Sequence, residues 1–139
     1  MRCLLLAVCL VAPLSWADPV LEISNAWQRG TPPGQSKTAA YMSITNPGAS
    51  AVEVTGVSSA QARSVEIHES KQVDGMWQMR RLQSLPIAAG ATVDLQPGGL
   101  HLMVFGLERA PKAGERVQYT LELSGGETVT IALEVRAPG

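Results

Sequence analysis

The chain has 139 residues, 45% of them apolar, and a formal charge of −1. That length suits one domain with a packed core. The near-neutral charge excludes a basic footprint for nucleic acid, and there is no acidic tail.

Residues 1–17 read as a secretory leader. Met1-Arg2 gives a short positive end, Cys3 to Leu14 is nearly all apolar, and Ser15-Trp16-Ala17 supplies small residues before a cut after Ala17. The apolar run falls short of the roughly 20 residues that span a bilayer. Leu6-Ala7-Val8-Cys9 offers a rival, lipid-attached reading. Cys3 and Cys9 both lie in the leader, so the mature domain, 18–139, is expected to have no disulfide, thiol nucleophile or thiolate ligand. Losing Arg2 with the leader leaves it at −2. An exported domain without cysteine must rely on its own core.

No helical period is sustained along the rest. Short β-rich runs alternate with turn signals, which predicts an all-β sandwich in a single domain. The expected strands are Val20 to Trp27, Ala39 to Thr45, Val52 to Ser58, Ser64 to Glu69, Met76 to Leu82, Thr92 to Leu95, His101 to Phe105, Val117 to Leu123 and Val129 to Val135. Turns are expected at Thr31-Pro32-Pro33-Gly34, Asn46-Pro47-Gly48, Asp74-Gly75, Gln96-Pro97-Gly98-Gly99 and Ser124-Gly125-Gly126.

Two of these strands carry the only histidines, His68 and His101. In His101-Leu102-Met103-Val104-Phe105, alternation sends Leu102 and Val104 to the core and His101, Met103 and Phe105 to the other face. In Val65-Glu66-Ile67-His68 the same rule puts His68 beside Glu66 on a polar face, with the same exposure as His101. A two-residue hairpin loop at Asp74-Gly75 would oppose Val73 to Met76, Ser70 to Met79 and His68 to Arg81. Met79 then becomes the diagonal neighbour of His68, about 7–8 Å away at the backbone and within reach of a long side chain. His101 and Met103 are two strand rises apart, roughly 6.6 Å.

The donor chemistry is selective. Thioethers are soft, neutral donors that favour Cu(I), and imidazole accepts copper readily. Without cysteine there is neither a blue-copper centre nor a Cys-rich zinc site. A thioether site also holds Cu(I) less tightly than thiolates would, which suits a carrier that must release its ion. The plain alternative makes the methionines gap-filling core residues and the histidines surface residues. That reading serves for each residue singly and less well for all four together.

The spacing of His68, Met79, His101 and Met103 resembles the H-x10-M-x21-H-x-M signature of the periplasmic PCuA(C) copper chaperones. Flanking blocks resemble the family too: Ala26-Trp27-Gln28-Arg29-Gly30-Thr31-Pro32-Pro33-Gly34, Ala39-Ala40-Tyr41-Met42-Ser43-Ile44-Thr45-Asn46, Val65-Glu66-Ile67-His68-Glu69 and Pro97-Gly98-Gly99-Leu100-His101-Leu102-Met103. The resemblance implies a cupredoxin-like β-sandwich binding one Cu(I) per chain through those four residues. It implies a non-enzymatic carrier in the periplasm, delivering copper to the CuA site of cytochrome c oxidase subunit II, often beside a Sco-type thiol chaperone. Relatives with a His- and Met-rich tail hold further copper; this sequence ends Arg136-Ala137-Pro138-Gly139, so no tail site is expected.

Other residues take two readings. Met76, on the face opposite Met79, is expected in the core, as is Met42. Trp77 shares the face of Met79 and either shields an ion or packs. Glu66 and Glu69 either orient His68 or are solvated, the latter being the default. Arg80 and Arg81 either dock an acidic partner or keep the sheet soluble. The competing functions are copper storage or tolerance, a small secreted copper oxidoreductase, for which two histidines are few, and a metal-free envelope sandwich.

Overall fold

The computed structural model describes residues 20–138. The expected leader and its cut at Ala17 lie outside the described residues.

Ten strands form without a helix among the described residues. They are β1 Glu22–Arg29, β2 Lys37–Thr45, β3 Val52–Ser58, β4 Ser64–Val73, β5 Met76–Leu82, β6 Leu85–Ile87, β7 Thr92–Leu95, β8 Leu100–Phe105, β9 Arg116–Leu123 and β10 Thr128–Arg136. The hydrogen-bonded order is β5-β4-β8-β2-β1-β10-β9-β3-β6, and β3 also pairs with β4 through Val57 and Val65. That last pairing closes seven strands, β4-β8-β2-β1-β10-β9-β3, into a cupredoxin-like barrel. Three strands stay outside the ring: β5 on β4, β6 on β3 and β7 on β2. All ladders are antiparallel except β1 with β10.

Alternation decides the core. From β2 come Ala40, Met42 and Ile44, from β4 Ile67, and from β8 Leu102 and Val104, all nearly or fully buried. The faces expected for β8 and for Met42 are those observed. Met76 is corrected: it lies across the sheet from Met79 as expected, but it is 70% exposed, because the end of the β4–β5 hairpin projects beyond the core. The strand β6 was not foreseen. It has three residues with Pro86 at its centre, and a proline is tolerated there because β6 ends the path and has an unpaired edge. Its flanking Leu85 and Ile87 are buried.

Two local devices set the rows that matter. Asp74 and Gly75 have φ of 52° and 76°, the left-handed pair of a type I′ hairpin turn, so β4 and β5 take the register Val73–Met76, Ser70–Met79 and His68–Arg81. The second device is a change of partner along β2. Residues Lys37 to Ala40 pair with β8, and Met42 to Thr45 pair with β7. The turn joining β7 to β8 therefore crosses the sheet at the level of His101.

Candidate metal centre

β8 lies between β4 and β2, and His101 is the direct cross-strand partner of His68. The two ring centroids are 5.8 Å apart, with planes inclined at 61°. Two imidazoles sharing one ion at about 2 Å per metal–nitrogen bond have centroids roughly 6 Å apart, so this spacing fits a shared ion. One step along the same face, Glu66 of β4 opposes Met103 of β8, and Ser64 opposes Phe105. Phe105 closes that side, its ring 6.1 Å from His68. On the other side of His68 is β5, where Met79 occupies the diagonal position expected from the hairpin register.

The two histidines differ in exposure, contrary to expectation. His68 is partly accessible, whereas His101 is 6% exposed. The cause is the β7–β8 turn together with β2. A pocket of about 190 Å³ beside His101 is lined by Ala39, Tyr41, Ser70, Met79 and Pro97. The Gly99 carbonyl in this turn accepts hydrogen bonds from the Ser70 amide at 3.1 Å and from His101 Nδ1 at 3.0 Å. Tyr41 is buried, which raises its phenol pKa against the opposing pull of Arg29. Its ring packs on Trp27 at 4.6 Å, and the Arg29 guanidinium lies 5.6 Å over it. Neither Tyr41 nor Gly99 stood out as a site residue in the sequence. Tyr41 becomes visible once Ala39 and Ala40 are paired with Met103 and Leu102, which puts it next to His101 in register.

Both carboxylates that flank His68 along β4 are engaged. Glu66 Oε2 is 2.7 Å from His68 Nε2, and its other oxygen is 3.6 Å from the Arg81 guanidinium. Glu69 pairs with Arg80 at 3.0 Å on the opposite face. The expected default for Glu66, a solvated carboxylate, is thereby corrected, since the strand alternation sets it against the histidine two residues on. Both arginines are matched by these glutamates. Trp77 is 65% exposed on the β5 edge, so it packs against little.

The fit to a soft ion rests on one orphaned atom. His68 Nδ1 is buried and has no hydrogen-bond partner. A buried acceptor left without a donor is costly, and a ligand that accepts its lone pair removes that cost. Among the described residues, no three His, Asp or Glu side chains converge on a possible metal position. The imidazole pair therefore lacks a third hard donor. What lies on its face instead is sulfur: Met79, 56% exposed, and Met103, half-buried. A larger hollow between Glu22 and the Asn46 to Ser50 loop is lined by neither histidine nor methionine.

The fold is that of the PCuAC domains. The chain superposes on the copper-bound PCuAC domain of PmoF2 with a TM-score of 0.72 at 24% identity, over 88% of this chain and 97% of that one. It superposes on Cu(I)-bound DR1885 from Deinococcus radiodurans with a TM-score of 0.70 at 34% identity, over 86% of this chain and 80% of that one. The family model described as "Putative lipoprotein LpqE-like" matches residues 21–135. A protein of Leifsonia xyli subsp. xyli (strain CTCB07), itself described as a lipoprotein, is 35% identical over 125 residues, 89% of this chain and 74% of its own length. The chain belongs to the LpqE-like family.

Proposed function

We propose that this protein is an exported Cu(I) carrier that holds one ion between His68, Met79, His101 and Met103 and passes it on by ligand exchange. The observation that carries this reading is the paired imidazoles, 5.8 Å apart, one with an unpartnered buried nitrogen and both flanked by thioethers rather than by a third hard donor. Such a donor set favours a soft monovalent ion over Zn(II) or Ca(II). The likeness to Cu(I)-bound DR1885, at 34% identity, supports the same ion.

Exposure gives the exchange a direction. Met79 lies on an edge strand and is largely open to solvent, whereas His101 is covered by the β7–β8 turn. An approaching partner meets Met79 first. Its donors displace that sulfur, and His101 lets go last. Thiolates outcompete thioethers for Cu(I), so transfer to a thiolate-bearing recipient runs downhill. We place this step in the periplasm. Its recipient is the CuA site of cytochrome c oxidase subunit II, reached directly or beside a Sco-type thiol chaperone. The work is binding and transfer, not catalysis.

X-ray absorption on the Cu(I)-loaded protein tests the site. Two sulfur and two nitrogen neighbours at one copper per chain are expected. The double variant Met79→Leu/Met103→Leu should lose binding in competition with a chromophoric Cu(I) chelator. Binding equal to the parent's would overturn the assignment.

A further inference from the structure

We propose that the two histidines present different ring nitrogens to the ion, His68 through Nδ1 and His101 through Nε2, and that Glu66 is the positioning residue that imposes the first choice. This rests on the reading that a soft ion sits between them.

A carboxylate can only accept a hydrogen bond, so the 2.7 Å contact between Glu66 Oε2 and His68 Nε2 requires the proton on Nε2. In the neutral ring the lone pair is then on Nδ1, the nitrogen that is buried without a partner. A carbonyl likewise only accepts, so the Gly99 oxygen 3.0 Å from His101 Nδ1 requires the proton there and leaves the lone pair on Nε2. The Gly99 carbonyl is itself fixed by the Ser70 amide. Each ring is thus locked as a different tautomer by a group outside the donor set. Because Nδ1 adjoins Cγ, coordination through it draws the ion towards the β4 backbone.

Glu66 is held by two cations or donors at once, the imidazole and Arg81 at 3.6 Å. It therefore supports the ligand and does not become one. Glu69 has the same charge and flanks His68 in sequence, but it pairs with Arg80 on the other face and does not contact the ring.

The test is long-range 1H–15N NMR on the 15N-labelled protein, alone and with one equivalent of Ag(I). Silver is a closed-shell stand-in for Cu(I), and its nucleus splits the signal of the nitrogen it binds. Without metal, His68 should show the Nε2–H tautomer and His101 the Nδ1–H tautomer. With Ag(I), splitting should appear on His68 Nδ1 and His101 Nε2. Glu66→Ala should release His68 to a mixture of tautomers and weaken Cu(I) binding about 10- to 100-fold, the range for loss of a group that orients a ligand. Glu66→Gln, whose amide oxygen can still accept, should restore most of both, and Glu69→Ala should change neither. Splitting on His68 Nε2, or a Glu66→Ala spectrum identical to the parent's, would overturn the proposal while leaving the ion site intact. Splitting at neither ring would overturn both.

Discussion

Moving a single sulfur along β5 tests whether the sheet face, and not mere proximity in sequence, makes Met79 a ligand. Met79→Leu preserves bulk and removes the thioether. Losing one of two soft donors should weaken Cu(I) binding on the order of 100-fold, about 2.8 kcal/mol. A second substitution then returns a thioether at one of two neighbouring positions. Arg80 opposes Glu69 on the far face, so Met79→Leu/Arg80→Met places sulfur behind the sheet. Arg81 directly opposes His68, so Met79→Leu/Arg81→Met places it on the ligand face. Directly opposed Cβ atoms are about 4.5–5.5 Å apart, closer than the roughly 7–8 Å of the diagonal that Met79 occupies. Replacing Arg81 also removes its 3.6 Å contact with Glu66, but that guanidinium is 61% exposed and the pair contributes at most about 1 kcal/mol. The Arg81→Met double variant should therefore recover at least tenfold, about 1.4 kcal/mol, and the Arg80→Met variant nothing. Chelator competition under anaerobic conditions reads all four proteins. Equal rescue by both double variants would refute the face argument, and parental affinity in Met79→Leu would refute the ligand.

Three further substitutions separate site from scaffold. Gly75→Ala should lower stability by about 1–2 kcal/mol, the cost of a left-handed L-residue; nothing lies within 4 Å of the added Cβ at φ +76°, so no clash adds to it, and thermal unfolding should show a fall of a few degrees. Met76→Ser should alter stability by no more than about 0.5 kcal/mol and leave Cu(I) affinity unchanged, since this thioether is exposed and faces away from the histidines. Leu102→Ala should cost about 2–5 kcal/mol in denaturant unfolding, because Leu102 is 2% exposed in the core. The same variant, once folded, should bind Cu(I) as the parent does, because Leu102 and His101 point to opposite faces of β8; a large loss of affinity would count against that separation.

What could be read from the sequence was whatever depends on period two and on turn chemistry. The faces of β8, the type I′ loop at Asp74-Gly75 and the register that makes Met79 a diagonal neighbour of His68 all follow from neighbours along the chain. Three strands, β3, β5 and β7, begin and end where their patterns do. The short β6 escaped notice because Pro86 argues against a strand unless its edge is known to be free.

The harder part was burial, which belongs to the third dimension. By strand alternation His68 and His101 look alike in sequence, each on the face opposite its inward-pointing neighbour, Ile67 in the first case and Leu102 in the second. Both β4 and β8 are interior strands, and what separates the histidines is the roof over β8, a turn that crosses where β2 changes partner from β8 to β7. No local pattern encodes that switch. The groups that orient the two rings are each two residues back in the chain, the Gly99 carbonyl for His101 and the Glu66 carboxylate for His68, with the Ser70 amide of β4 holding the Gly99 carbonyl from across the sheet. One histidine is thus fixed by the backbone of the turn that leads into its strand and the other by a side chain of its own strand. Near neighbours in the chain therefore decide which ring nitrogen each histidine can offer, and long-range topology decides how far each ring is covered.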